Sequence, residues 1–440
     1  MDVSSKKISL IGAISIIVGT VIGASIFILL GPIADQTGPS LFLAYFIAFL
    51  PAFFGSLFYA QLGAAIPATG GTYHYCKRLL NPTFGYIATI SLILGGIGAT
   101  VMLSIGFAEY LQFFFPNLPI QLTALLIILF LYGINLLGLK TAEMVQILMT
   151  VWILLALLIF AIPGLFHIEP QNFTPMMPNG IGSFLMGSAL AVYSYVGYGI
   201  ISEIGGTIEN PNKNIPRAIF ISLGMIVFIY VLVGLVAVGV IPWEQLSASG
   251  ASVAEAAQVF LSPSVVLFIS IGALFATVTT INAVMMTIPG DFKALAKEGI
   301  FNQKIMAKEI NNTSLFPISI MVITATIGIF TGFDVDFFAT ITIVGLLLNA
   351  VVLGIAVWRL PTKEKEAYDN APYKIKQGFL KPAIIIGVIL NTAFIILAVL
   401  DFPIIIPLFI LWIVIGYMMH RKKIPKLNTI ASEDQKAANK

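Results

Sequence analysis

Few side chains in this chain could do chemistry on their own. The 440 residues include one cysteine, Cys76, which excludes an intrachain disulfide framework and the multi-cysteine zinc and iron–sulfur patterns. The three histidines, His74, His167 and His420, are too few and too scattered for a metal site. None lies in the middle of an apolar run, so a serine–histidine dyad is excluded there. The ionisable candidates inside apolar runs are Glu203 and Glu109, joined by the hydroxyls of Thr279 and Thr280 and the amide of Asn282. A charge inside a membrane is costly and marks a functional position by default. Glu203 and Glu109 are therefore candidates for titration or gating, against the plainer reading of solvated vestibule residues. Asn282 could contact a substrate or simply bond a neighbouring helix.

Backbone groups are the stronger candidates. The first apolar run contains Gly12, Gly19 and Gly23, followed by Ala24-Ser25-Ile26-Phe27. The sixth contains Tyr193-Ser194-Tyr195-Val196-Gly197-Tyr198-Gly199, then Gly205-Gly206, and ends in Glu209-Asn210-Pro211. Glycine pairs can serve close helix packing in a membrane. Two glycine-interrupted runs five spans apart also fit paired broken helices in a carrier built from inverted repeats. Unwinding a helix frees N–H groups at one half-helix start and carbonyls at another half-helix end. The N–H end, with its positive dipole, suits a carboxylate, and the carbonyl end suits an ammonium. The pair is a receptor for an α-amino acid zwitterion.

The elements that must position these groups are membrane helices. Hydrophobic residues make up 58% of the chain and charged residues 10%, against about 25% charged in a soluble domain. Apolar runs long enough to cross a bilayer fall near 8–31, 40–66, 84–115, 119–138, 142–165, 183–207, 216–241, 255–288, 315–333, 336–360, 380–399 and 401–420. They do not alternate, which excludes a β-barrel. All 23 lysines and arginines fall in 1–7, 67–83, 139–141, 208–217, 289–314, 359–382 and the tail after His420. The intervening loops carry only acids: Asp35, Glu169, Glu244, Glu255, Asp334, Asp336 and Asp401. The positive-inside rule then places both termini in the cytoplasm of a twelve-span protein. The net charge of +3 is no signature of nucleic-acid binding. Residues 1–423 read as one transmembrane domain and 424–440 as a disordered cytosolic tail.

Several motifs resemble one family. Gly19-Thr20-Val21-Ile22-Gly23-Ala24-Ser25-Ile26-Phe27 resembles the first-helix signature of the amino acid–polyamine–organocation (APC) superfamily. Pro67-Ala68-Thr69-Gly70-Gly71-Thr72-Tyr73 resembles its second motif, and Glu209-Asn210-Pro211-Asn212-Lys213-Asn214-Ile215-Pro216-Arg217-Ala218-Ile219 the motif after its sixth helix. Ser270–Phe275 and Ala296–Gly299 resemble its eighth helix and the loop that follows. The resemblance implies an all-α polytopic membrane protein with a LeuT-type 5+5 inverted repeat, 8–165 and 183–360, plus two C-terminal helices within 380–420. It places the carboxylate of a substrate on the N–H groups of Ala24, Ser25 and Ile26, beside Gly23. It places the amine on the carbonyls of Val21 and Ile22 and of Ser194, Tyr195 and Val196, beside Gly197. Tyr193 falls where relatives carry an aromatic lid, and Tyr198 where they carry a pocket-lining aromatic. Thr279 and Thr280 fall where sodium-coupled members place hydroxyl ligands, although membrane hydroxyls more often bond their own helix.

Two positions depart from the family. Ile153 stands where many proton-coupled relatives carry a lysine in the fifth helix, and Gly205 and Gly206 stand where relatives carry an acid in the sixth, with Glu203 a possible substitute. No buried acid flanks the first break, so the expected substrate is a neutral α-amino acid rather than a dication. The resemblance implies secondary active transport across the plasma membrane by alternating access, with proton symport favoured over sodium. The alternatives are exchange without proton coupling, or a polyamine or cationic amino acid carrier. No cofactor and no enzymatic activity are expected. Cys76 is expected on the cytosolic side, where it could not link an outer accessory subunit.

Overall fold

A computed structural model describes residues 8–66, 71–137, 142–199, 201, 208–306, 308–310 and 313–421. Glu203, Gly205, Gly206, Lys140, part of the second motif and the tail expected to be disordered lie outside these residues.

The chain is helical almost throughout. It runs through α1 (Leu10–Val21), α2 (Ser25–Ile28), α3 (Leu30–Thr37), α4 (Leu41–Ala65), α5 (Gly71–Leu79), α6 (Pro82–Gln112), α7 (Ile120–Leu137), α8 (Ala142–Gly164) and α9 (Gly180–Ala191). It continues through α10 (Pro211–Val240), α11 (Trp243–Ala248), α12 (Ser252–Ala257), α13 (Pro263–Lys297) and α14 (Gln303–Met306). A minimal antiparallel hairpin, β1 (Glu309–Ile310) and β2 (Thr313–Ser314), is the one sheet among the described residues. Then follow α15 (Leu315–Ile329), α16 (Val335–Lys363), α17 (Lys365–Asp369), α18 (Gln377–Asp401) and α19 (Ile405–Arg421).

Eight helical stretches among the described residues are long and apolar enough to cross a membrane, and three shorter apolar helices, Ile120–Leu136, Leu315–Ile329 and Ile405–Val414, accompany them. The chain is a multi-pass membrane protein. Large apolar side chains such as Leu126, Phe130, Ile323, Ile327, Ile389, Ile396 and Leu411 are exposed on α7, α15, α18 and α19. Such a surface is stable only against lipid.

The run 8–31 is interrupted around Gly23, as expected: α1 ends at Val21 and α2 begins at Ser25. One expected boundary is corrected. The run 255–288, expected as one continuous span, is divided. Its first residues belong to the short α12, and the long helix starts at Pro263, the N1 position where a missing N–H costs nothing, then continues past 288 to Lys297.

The breaks sit within a frame of closely packed helices. α6 is about 46 Å long at roughly 1.5 Å per residue, against a hydrocarbon core of roughly 30 Å. Asn81 caps it, its side chain accepting from Phe84 N at 3.1 Å. α6 and α16 approach through glycines. A Cβ at Gly98 would lie 2.9 Å from the Phe338 carbonyl, and one at Gly345 would strike the Ser91 carbonyl. Thr342 Oγ1 then donates to Gly95 O at 3.0 Å, across the same contact. Small residues let the two backbones approach, as they do generally where lipid supplies no hydrophobic drive between helices.

One end of the bundle is basic. There Lys77 pairs with Glu298 at 2.7 Å, and Arg78 binds both Glu364 oxygens at 2.5 and 2.9 Å. The opposite end brings Asp336 near Asp334, Asp401 and Asp35.

Candidate functional site

The first break is built by sequence. α1 starts with Ser9 as its cap, Ser9 Oγ accepting from Gly12 N at 3.2 Å. It stops because Gly23 and Ala24 do not continue the ladder. Ile22 N still reaches Val18 O at 2.8 Å, and the next backbone bonds are Phe27 N and Ile28 N to Ala24 O at 3.1 and 3.0 Å. The N–H groups of Gly23, Ala24, Ser25 and Ile26 take no backbone acceptor among the described residues. A buried helix start without partners is costly. Here all four residues are buried, and no side chain caps α2. The cluster is therefore a set of buried donors without a backbone acceptor among the described residues.

The second break lies beside it. After α9 the chain tightens into a 3-10 turn at Val192–Tyr195, Val196 becomes extended, and Gly197 takes φ +117°. Only glycine adopts that conformation without strain. Gly197 also touches the first break: a Cβ there would lie 3.0 Å from Thr20 Cγ2 and 3.2 Å from Val21 Cγ2. The turn packs against α2, α4 and α16. The two breaks, separated by most of the first half of the chain, meet in space.

A tyrosine cluster ties them together, and of its members sequence reasoning named Tyr195 but missed Tyr45 and Tyr230. Tyr230 of α10 donates its hydroxyl to Val21 O at 2.7 Å and lies 3.3 Å from Ser25 Oγ. It thus binds the carbonyl end of α1 and the start of α2 at once. Tyr195 donates to the Tyr45 carbonyl at 2.8 Å, and its ring meets that of Tyr230 at 5.4 Å. Tyr45 stacks obliquely on Tyr230 at 5.5 Å. The hydroxyls of Tyr45 and Ser194 are buried, close together, and without a hydrogen-bond partner of good geometry among the described residues. A tyrosine inside an otherwise apolar run was the available signal, since a buried phenol seeks a partner.

The other expected residues are placed as follows. Tyr193 is buried in the 3-10 turn. Tyr198 packs edge-on against Tyr59 at 5.9 Å, its hydroxyl filling the space left by Gly55. Tyr59 in turn accepts from Asn349 Nδ2 of α16 at 2.8 Å. Thr280 abuts Gly23, and its hydroxyl donates to Ala276 O at 2.8 Å. Thr279 likewise donates to its own helix, at 2.9 Å to Phe275 O and 3.0 Å to Ala276 O. Asn282 is not brought to the breaks. It lies roughly 200° round the helix from Thr280, and its Oδ1 accepts from Asn135 of α7 at 2.7 Å. Glu109 lines a separate cavity of about 470 Å3 at the acidic end, with Gln112, Phe113 and the 248–251 loop. Glu203 lies outside the described residues.

Comparison with known proteins shows the family. A family model described as amino acid permease matches residues 8–421. The chain belongs to the amino acid permease family. This permease is 33% identical over 323 residues to an uncharacterized protein of Methanocaldococcus jannaschii, covering 70% of this chain and 73% of that protein. It is 24% identical over 435 residues to a branched-chain amino acid permease of Bacillus subtilis, covering 93% and 92% of the two chains. A methylthioribose transporter of the same bacterium is 24% identical over 434 residues, again covering 93% and 92%. The permease is a membrane transporter and not an enzyme.

Proposed function

We propose that this permease is a secondary active transporter that carries a neutral α-amino acid across the plasma membrane by alternating access, coupled to protons as a symporter. The observation that carries this reading is the run of N–H groups at Gly23, Ala24, Ser25 and Ile26 that take no backbone acceptor among the described residues, set against the second break at Gly197. Those donors fit a carboxylate. The carbonyls of Val21 and Ile22 and of Ser194, Tyr195 and Val196 fit the ammonium. Val21 O already accepts from Tyr230, and its second lone pair is what an ammonium would use.

Neutral substrates are favoured because the side chains against the first break among the described residues, such as Thr280 and Tyr230, carry no charge. A cationic substrate would want a buried acid there. The name of the Bacillus subtilis branched-chain relative supports the same class. In this reading the interrupted segment 183–207 is the sixth of twelve spans. Spans 1–5 and 6–10 form the inverted repeats, the last two helices are additions, and both termini face the cytoplasm. The parallel bridge Ile8–Ile208 and the bond from Glu209 N to Ile8 O at 2.9 Å support it, since they hold the entry to span 1 against the exit of span 6.

One observation favours a second reading, exchange without a coupling ion. Ile153 is buried in α8 and apolar, at the position where proton-coupled relatives carry a lysine. Uptake of labelled amino acids into proteoliposomes separates the readings. Proton symport requires saturable uptake of a neutral amino acid driven by a pH gradient. Uptake that depends on unlabelled amino acid inside assigns exchange. Transport of lysine or putrescine alone, or of nothing in the panel, overturns the substrate assignment.

A further inference from the structure

The basic end of the molecule carries a second cavity, remote from the breaks and outside the transport reading. It has a volume of about 440 Å3 and lies between the adjoining ends of α16 and α18, where Trp358, Arg359, Thr362, Gln377, Leu380 and Lys381 line it. Arg359 and Lys381 form no ion pair among the described residues, whereas neighbouring Arg78 and Lys374 are each matched to a carboxylate. Lys381 Nζ sits 5.5 Å from the centroid of the Trp358 ring, a cation–π contact that holds the ammonium at the cavity wall. Thr362 Oγ1 gives its proton to Arg359 O at 2.9 Å. That hydroxyl is no competing donor, and it ties down the backbone that carries the guanidinium.

One turn deeper along each helix the chemistry changes. Ile355 lies four residues before Arg359 on α16, and Ile385 lies four residues after Lys381 on α18; both are exposed. The cavity thus presents two unmatched cations and a tryptophan at the level where membrane interfaces place them, opening onto an apolar face below.

We propose that this cavity binds an anionic glycerophospholipid. Its phosphate lies between Arg359 and Lys381, and its acyl chains run along Ile355 and Ile385. A free phosphate would satisfy the two cations but would leave the apolar face unused, so the structure favours the lipid. Basic pockets between transmembrane helices recognise acidic headgroups by this combination of charge and enclosure.

Native mass spectrometry of the intact, detergent-purified permease tests the proposal with phosphatidylglycerol and phosphatidylcholine of matched chains. Phosphatidylglycerol should be retained in preference to phosphatidylcholine. R359Q/K381Q should weaken its binding roughly tenfold to thirtyfold. K363Q/K376Q removes equal charge from the same loop outside the cavity and should retain the binding. Equal retention of both lipids, unchanged binding in R359Q/K381Q, or the same loss in both double variants would overturn it. So would displacement of the lipid by an equal concentration of inorganic phosphate.

Discussion

The Tyr230 hydroxyl stands 2.7 Å from the Val21 carbonyl and 3.3 Å from Ser25 Oγ, bridging the end of one half-helix and the start of the next. This single phenol holds the first break open in a defined geometry. Replacing it with phenylalanine keeps the ring contacts to Tyr45 and Tyr195 but leaves the Val21 carbonyl without its donor. An unsatisfied buried group costs about 1–3 kcal/mol. Tyr230→Phe should therefore insert and fold, melt at a lower temperature in detergent, and take up substrate roughly tenfold less well, with the loss concentrated in KM. Uptake equal to wild type would show that the bridge does not shape the site.

Gly23 is required by a different contact. A Cβ at this position would collide with Thr280 Oγ1, and it would also lie 3.3 Å from Thr20 O. Gly23→Ala should abolish measurable uptake. Thr280→Ala removes the colliding atom, so the Gly23→Ala/Thr280→Ala double variant should recover part of the activity. Additive losses in the double variant would indicate that Thr280 contributes more than space. Comparison with the Thr280→Ala single variant reads that contribution directly.

Both breaks were legible in the sequence because glycines in a long apolar run have few physical uses. Tyr45 and Tyr230 were not. Tyr230 reads as one more large residue in α10, and its partner carbonyl lies 209 positions away in the chain. For Asn282 the sequence left two readings open, a substrate contact or a bond to a neighbouring helix, and helical geometry turns it toward Asn135. Boundaries failed where hydropathy is continuous but capping is not: apolar residues run through 255–288, and only Ser262-Pro263 marks where α13 starts.

Gly197 lets the chain make the second break without strain. Its φ of +117° lies in a region that side chains with a Cβ rarely enter, at a cost of about 1–3 kcal/mol. The added methyl would also press on Thr20 and Val21 of the first break. Gly197→Ala should cut uptake at least tenfold while the protein still reaches the membrane. Gly180 also has positive φ, +79°, yet a Cβ there meets nothing within 4 Å. Gly180→Ala should lower stability through backbone strain but spare substrate affinity, which separates strain from site geometry.

Asn349 and Tyr59 join α16 to α4 beneath Tyr198. Asn349 Nδ2 donates to Tyr59 Oη at 2.8 Å, and both residues are buried. Residues sharing one buried bond are energetically coupled. Asn349→Leu and Tyr59→Phe should each lower stability, and the double variant should lose less than the sum, with a coupling of about 1 kcal/mol. Unfolding in mixed micelles gives the cycle. Strict additivity would mean that the bond contributes nothing to the packing of the two helices.

Arg78 and Glu364 make a bidentate pair between α5 and the residue that ends α16, with N–O distances of 2.5 and 2.9 Å. The Arg78 hydrogen bond holds the Glu364 carboxyl below its ordinary range. A carboxylate whose pKa is lowered by folding binds fewer protons in the folded state than in the unfolded one. Its contribution is therefore complete above the unfolded value and is lost as the pH falls through the lowered, folded value. Both side chains are partly exposed to solvent, so the effect is small and screened by salt. Arg78→Gln should melt slightly below wild type at neutral pH and low ionic strength. The two proteins should converge on acidification through the carboxylate range, and again at neutral pH in high salt. A difference that persists in acid would have to come from the packing of the Arg78 side chain rather than from its charge.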